Sequence, residues 1–110
     1  MSQRVGKVES VIQSVVAPAL LELLERDAAQ VTVTRVDVAP DLHNATVWVG
    51  LLGSEPEQKR LWDRIGHLRG DVQHRLGQAM TTKYVPQIHL KQDTGGAYAE
   101  EIDRLLRNLP

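Results

Sequence analysis

Residues 61–92 join a long amphipathic helix to a single strand, and this combination limits the folds open to the chain. Apolar side chains recur there at helical steps of three and four: Leu61, Ile65, Leu68, Val72, Leu76, Ala79 and Met80. Pro86 ends the helical region, because the residue before a proline is pushed toward extended backbone. The alternation of apolar and polar residues that follows predicts a half-exposed strand over residues 88–92.

The central helix has a clear start signal and an unusual glycine content. Ser54 and Glu57 have the spacing of a capping box, which predicts that the helix begins there. Gly66, Gly70 and Gly77 then fall inside the helical pattern, where each glycine costs about 1 kcal/mol relative to alanine. We interpret them as signs of a kink or of a close approach by another backbone, and we expect the helix to be interrupted at Gly70.

The chain before this helix predicts one helix and a hairpin. An apolar stripe runs through residues 4–26 at helical spacing, with Pro18 expected to kink the helix. Residues 31–38 and 45–51 are rich in β-branched side chains and predict two strands joined by a turn. The alternation slips between Val33 and Val36, which indicates a β-bulge.

The last part of the chain predicts a turn followed by a short helix. Residues 93–96 carry the turn, and the apolar face of the helix consists of Tyr98, Ile102, Leu105, Leu106 and Leu109. The predicted order is therefore helix, hairpin, kinked helix, strand and helix. This order indicates an α+β fold in which helices cover one face of a three-stranded sheet. A length of 110 residues fits a single domain.

The charge of the chain is divided between two regions. The net charge is −1, yet residues 59–91 contain seven basic and two acidic side chains, whereas residues 1–58 contain four basic and eight acidic ones. A basic region of this kind favours a polyanionic partner. Its basic side chains are Lys59, Arg60, Arg64, Arg69, Arg75, Lys83 and Lys91.

Several classes of function lack support in the sequence. There is no cysteine, so disulfides and zinc–thiolate sites are excluded. His67 and His74 are seven residues apart on a helix, too far for easy shared metal ligation, and no cofactor is expected. Asp41 is better explained as a turn former than as an acid–base group. No apolar run is long enough to span a bilayer and the N-terminus lacks a signal sequence, so a cytoplasmic protein is expected.

The chain resembles the ribosome-binding factor A family along nearly its whole length. The resemblance rests on Arg4 and Val5, the hairpin over residues 31–49, Gly70, residues 76–80, residues 83–90 and Asp93. It implies a KH-like domain of type II topology without the GxxG loop, and with a kinked central helix. Leu68, Gln73 and Leu90 depart from the pattern, standing where alanine, arginine and phenylalanine are usual in the family.

The resemblance also implies a function. The family helps to mature the small ribosomal subunit: it binds the immature particle and its 16S rRNA, aids processing of the rRNA 5′ end and is not an enzyme. A monomer with no membrane partner is expected. The basic side chains expected to contact RNA are Arg60, Arg64, Arg69, Arg75, Lys83 and Lys91, extended by Arg4 and Lys7.

Two alternatives remain open from the sequence. The basic side chains could instead form local pairs on a solvated helix, such as Lys59 with Asp63 and Asp71 with Arg75. The domain could also be a KH-like protein–protein interaction module with weak or no RNA binding, which a pI near 6.4 and Gln73 favour. We expect reversal of the charges of Arg64 and Arg75 to abolish particle binding while the fold survives.

Overall fold

The computed structural model of the protein describes residues 3–94, with side chains from residue 5. The predicted C-terminal helix, from Tyr98 to Leu109, lies outside the described residues, and so does the side chain of Arg4.

The first helix, α1, spans Gln3–Leu24 and continues through Pro18. It ends two residues earlier than expected because Glu25 takes a φ of 55°, a left-handed conformation that a helix cannot contain. A 3₁₀ helix follows at Glu25–Gln30. This segment brings acidic side chains under the start of the central helix.

The hairpin is confirmed. Strand β1 spans Val31–Val38, strand β2 spans Asn44–Leu51, and they pair antiparallel. The register shifts between Val33 and Arg35, so the expected bulge is present. In the connecting turn, the Asp41 Oδ1 atom accepts a hydrogen bond of 2.9 Å from the backbone N–H of His43, which confirms Asp41 as a turn former.

The central helix, α2, spans Glu55–Ala79 as one continuous α-helix, so the predicted break in helical structure at Gly70 is wrong, while the kink expected there stays a prediction. The capping box of Ser54 and Glu57 is present. Within residues 3–94, a Cβ atom added at Gly66, Gly70 or Gly77 would meet nothing within 4 Å outside its own helix backbone, so no other described backbone segment approaches these glycines. They lie on the exposed side, while the opposite stripe is buried and holds the helix against the core despite the weak propensity of glycine.

Strand β3 spans Gln87–Gln92 and pairs parallel with β2, which gives a mixed sheet in the order β1-β2-β3. The α+β class, the KH-like order and the crossover through α2 are thus confirmed. One core holds the buried side of the sheet and both helices, with Ile12, Val16, Leu20, Leu24, Val47, Val49, Leu61, Ile65, Val72, Leu76 and Ile88 almost fully inaccessible. Among residues 3–94, neither helix is long and apolar enough to cross a membrane.

Candidate nucleic-acid interface

Two of the predicted RNA-binding arginines converge on one aspartate of the 3₁₀ helix. The Arg60 guanidinium donates two hydrogen bonds of 3.2 Å to the Asp27 carboxylate, and Arg64 donates to the same carboxylate. The Asp27 side chain is only 14% exposed. Hydrogen bonds from Arg60 and then Arg64 hold the pKa of Asp27 below its ordinary value, and Asp27 in turn raises the pKa of Arg60.

Arg64 and Arg75 also contact the end of α1. Arg64 Nη2 donates to the Leu23 carbonyl oxygen at 3.3 Å, and this carbonyl belongs to the last turn of the helix, where no intrahelical donor is left. Farther along α2, Arg75 Nη1 lies 2.9 Å from Glu22 Oε2. Arg64 and Arg75 therefore share a face, as their spacing predicts, but that face is directed at the acidic end of α1.

The local pairs weighed from the sequence are not the ones that form. Among the described residues, the ion pairs join neither Lys59 to Asp63 nor Asp71 to Arg75. The acids of the N-terminal region are separated along the chain from the bases of α2, and this separation suggested a polyanionic partner. In the structure, some of these acids and bases pair with each other.

Arg69 and Gln73 are directed toward β3. Arg69 Nη1 lies 3.4 Å from the Ile88 carbonyl oxygen. The Gln73 side chain donates to the Pro86 carbonyl at 3.0 Å and accepts from the Ile88 N–H at 2.7 Å. An arginine at position 73 could not accept the second bond. The departure from the family pattern therefore has a structural role, which links α2 to the start of β3.

Lys91 lies on the open face of the sheet, away from α2. Its Nζ atom is 5.6 Å from the centroid of the Trp48 ring, and Arg35 Cζ is 4.9 Å from the same ring. Asp37 accepts hydrogen bonds of 3.0 Å from both Trp48 Nε1 and Arg35 Nε. Trp48 and its neighbours thus form a small polar cluster that sets Lys91 apart from the other predicted residues.

Lys7 and Lys83 come together at the end of the molecule where α1 begins and α2 ends. Neither takes part in an ion pair with any carboxylate of residues 5–94. Both line a cleft of about 670 Å³ between α1, the β1–β2 turn and the α2–β3 connector. The other lining residues are Val8, Pro40, Asp41, Leu42, His43, Met80, Thr82, Tyr84 and Pro86.

The cleft contains an aromatic pair that sequence reasoning missed. The His43 and Tyr84 rings stack with centroids 5.7 Å apart at an interplanar angle of 22°, and Tyr84 remains 62% exposed. Lys83 Nζ is 5.4 Å from the Tyr84 centroid. In the sequence, the only sign of this pair was a lysine followed by a tyrosine in a connector just before a proline. Nothing in the sequence placed His43 beside that tyrosine.

His89 and Trp62 have ordinary surroundings. His89 Nε2 lies 2.8 Å from Asn44 Oδ1 on the neighbouring strand, and Trp62 is half-buried against the core. In the part of the chain between residues 3 and 94, no group of three or more His, Asp or Glu side chains is placed to hold a metal ion.

A family model and relatives of similar sequence indicate the family of this chain. The family model described as "Ribosome-binding factor A" matches residues 4–106. Ribosome-binding factor A from Lactobacillus gasseri is 31% identical over 115 residues, which cover 99% of this chain and 90% of that protein. The protein of the same name from Thermomicrobium roseum is 33% identical over 88 residues, with 80% and 68% covered.

Solved structures agree with these sequence relatives. A Thermotoga maritima protein, named as a candidate ribosome binding factor A, superimposes with a TM-score of 0.71 at 27% identity, covering 88% of this chain and 93% of that one. The crystal structure of ribosome-binding factor A from Thermus thermophilus gives a TM-score of 0.64 at 16% identity over 80% of this chain and 93% of that one, and supports the fold alone. The chain belongs to the ribosome-binding factor A family.

Proposed function

We propose that this protein is an assembly factor for the small ribosomal subunit, which binds the immature particle and its 16S rRNA and aids processing of the rRNA 5′ end. Family membership over residues 4–106 carries the proposal. The protein acts in the cytoplasm as a monomer, and it acts by binding rather than by catalysis. Tighter binding to one rRNA conformation than to another shifts the population toward that conformation.

The unpaired cations indicate which surface approaches the RNA first. Lys7 and Lys83 are exposed and not neutralised by a described carboxylate, so their charge is available to phosphate. We assign the primary phosphate contacts to them and to Arg4, which lies one turn before Lys7 on α1. Arg69 and Lys91 are exposed flanking cations on other surfaces.

The paired arginines contribute less to the proposed interface. Arg60, Arg64 and Arg75 keep 56%, 38% and 37% of their side chains exposed, so their outer edges can still reach a phosphate. Their charge is partly cancelled by Asp27 and Glu22, which reduces the counterion release that each could give.

Co-sedimentation with ribosomal particles tests the function. The protein is mixed with immature small subunits, mature small subunits and whole ribosomes over a salt series, and the bound fraction is measured. We expect binding to the immature particle, weaker binding to the mature one and little binding to whole ribosomes, with affinity that falls steeply as salt rises. Equal binding to all three particles would contradict a role in assembly.

The second candidate is a KH-like protein–protein interaction module. The ion pairs of Arg60, Arg64 and Arg75 favour it, because they turn part of the basic region inward. Salt separates the two candidates: phosphate binding weakens steeply with salt, whereas an apolar protein interface does not. Particle binding that is insensitive to salt would favour the module.

A further inference from the structure

We infer that the cleft lined by Lys7, His43, Lys83 and Tyr84 holds one unpaired RNA nucleotide, whose base stacks against Tyr84 and whose phosphate meets the two lysines. The inference rests on the proposed function, because it takes RNA as the partner, and it names the part of the RNA that this surface recognises.

The first argument is the exposed aromatic ring. Tyr84 presents an aromatic face to solvent, since its residue is 62% exposed although it stacks on His43. Bases of single-stranded RNA stack on such rings, and any base can do so because every base has a π-face. The bases of a duplex are already stacked and paired, so their faces are not available to the ring.

The second argument is that hydrogen bonds hold in place the two chain segments that carry the stacked rings. The Gln87 N–H donates to the His43 carbonyl at 2.9 Å, which joins the β1–β2 turn to the connector that carries Tyr84. Thr82 Oγ1 donates to the Tyr84 carbonyl at 2.9 Å. The two stacked rings therefore belong to segments that are tied together before a ligand arrives, which lowers the entropy cost of binding.

The third argument is the shape and charge of the cleft. Its volume of about 670 Å³ lies within the range of roughly 300–1,000 Å³ typical of small-molecule sites. Val8, Leu42 and Met80 give it an apolar lining. Lys7 and Lys83 supply two positive charges against the single carboxylate of Asp41, one oxygen of which already accepts from the His43 N–H. A nucleotide, with an apolar-faced base and an anionic phosphate, matches this lining.

The conformation of the β1–β2 turn places the Leu42 side chain in the lining of the cleft. Leu42 has a φ of 65°, which is uncommon for a residue with a side chain, and its side chain packs against the core while it lines the cleft. Glycine would adopt this conformation without strain, but it would remove the side chain that lines the cleft. The strained leucine therefore maintains the shape of the cleft, which the turn alone does not require.

Fluorescence anisotropy with a labelled RNA pentamer of uridines, which neither pairs nor stacks with itself, tests the inference. Tyr84→Ala should weaken binding of this pentamer about tenfold or more through loss of stacking, while Tyr84→Phe should bind as the wild type does. For a short RNA duplex, Tyr84→Ala should change affinity less than about twofold. Lys83→Gln should weaken both RNAs, since it removes a phosphate contact.

Lys59→Gln is the matched charge control, because Lys59 is an exposed lysine near the start of α2, at the end opposite the cleft. It should leave pentamer affinity close to that of the wild type. Circular dichroism and the unfolding midpoint confirm that each variant is folded, which is expected since Tyr84 is largely exposed.

Three outcomes would overturn the inference: equal pentamer affinity for Tyr84→Ala and wild type, equal weakening of pentamer and duplex by Tyr84→Ala, or no pentamer binding by the wild type. If Tyr84→Ala lowers co-sedimentation with immature small subunits but leaves RNA affinity unchanged, the cleft meets a protein and the inference also fails. The proposed function is decided separately, by whether the wild type co-sediments with the immature particle at all.

Discussion

Asp27 shows how one residue changes the interpretation of a charged sequence. It lies in a short 3₁₀ helix between α1 and β1 that the sequence did not predict, and its carboxylate accepts hydrogen bonds from both Arg60 and Arg64. Two cations expected to face RNA thus hold the end of α1 to the start of α2. The charge asymmetry was visible in the sequence, but the sequence did not show that part of the basic charge pairs with acids of the same molecule.

The pairing of Asp27 makes stability depend on pH. Its pKa in the folded protein lies below the ordinary value of 3.8, so folding favours the carboxylate. The stabilisation is fully present above pH 3.8 and is lost as the pH falls through the lowered folded pKa. Urea unfolding should therefore show Asp27→Asn less stable than wild type at pH 7, with a difference that shrinks below about pH 4.

Asp63→Asn is the control for this titration, because Asp63 is exposed and forms no ion pair within the described residues. It should change stability little at any pH. An Asp27→Asn deficit that stays constant down to the lowest pH would contradict the assigned role.

Gly53 and Gly70 should respond in opposite directions to alanine. Gly53 has a φ of 114°, and a Cβ there would lie 2.8 Å from Gln30 Nε2, so Gly53→Ala should destabilise the fold by about 1–3 kcal/mol. Gly70 is an exposed helical residue with open space around it, so Gly70→Ala should stabilise by about 0.5–1 kcal/mol. Chemical denaturation measures both, and a large loss in Gly70→Ala would show that the family's kink position is needed here.

At the scale of elements, α2 and β3 are joined by more than the connector between them. The Gln73 side chain bonds the backbone on both sides of Gln87, at Pro86 and at Ile88, and both bonds are partly buried. This arrangement fixes where β3 begins and orients the connector that carries Lys83 and Tyr84. Gln73, which stands where the family usually has an arginine, therefore supports the cleft.

Replacing Gln73 should cost stability. Gln73→Ala leaves the Ile88 N–H and the Pro86 carbonyl without their partner, and we expect a loss of about 1–3 kcal/mol in the free energy of unfolding. Gln73→Arg should also destabilise, since arginine has no acceptor for the Ile88 N–H. Gln78→Ala is the control, because Gln78 is exposed on the same helix. Equal losses of stability at positions 73 and 78 would contradict the role of Gln73 in joining α2 to β3.

The α1–α2 contact predicts a charge-swap effect that revises the expectation for Arg64 and Arg75. Reversing both arginines places negative charge against Asp27 and Glu22, so the double variant should lose stability as well as RNA affinity. Arg75→Glu alone should cost less than about 1 kcal/mol, because Glu22 is 73% exposed, and Glu22→Arg should restore it. Thermal unfolding of Arg75→Glu, Glu22→Arg and the double variant measures these changes in stability. If the double variant loses as much stability as the two single variants together, the pairing is contradicted.

Within residues 3–94, the order of the helices and strands, the strand positions, the bulge and the capping box were all predictable, because they depend on local periodicity and turn chemistry. The uninterrupted α2 was not, because the burial of Leu61, Ile65, Val72 and Leu76 outweighs the local preference of three glycines. The end of α1 just before Glu25 was not predictable either, because a glutamate in the left-handed conformation has no sequence signature. Which cations remain unpaired depends on tertiary contacts, and only the structure assigned them.

At the scale of the whole molecule, the described cations are distributed over separate surfaces. Arg60, Arg64 and Arg75 lie at the α1–α2 contact, Lys91 on the open sheet face, and Lys7 and Lys83 at the connector end. We therefore propose that the connector end, where free charge and an exposed aromatic ring coincide, makes the primary contact with RNA, rather than a single basic face over the whole of α2.

The salt dependence of binding to immature small subunits tests this account most directly. Affinity is measured over a salt series for the wild type, for Lys7→Gln/Lys83→Gln, and for Lys59→Gln as the control. The account predicts a steep slope for the wild type and the control, and a slope lower by roughly one to two in the double variant, which loses two phosphate contacts. Binding that does not depend on salt, or a double variant with the slope and affinity of the wild type, would contradict it.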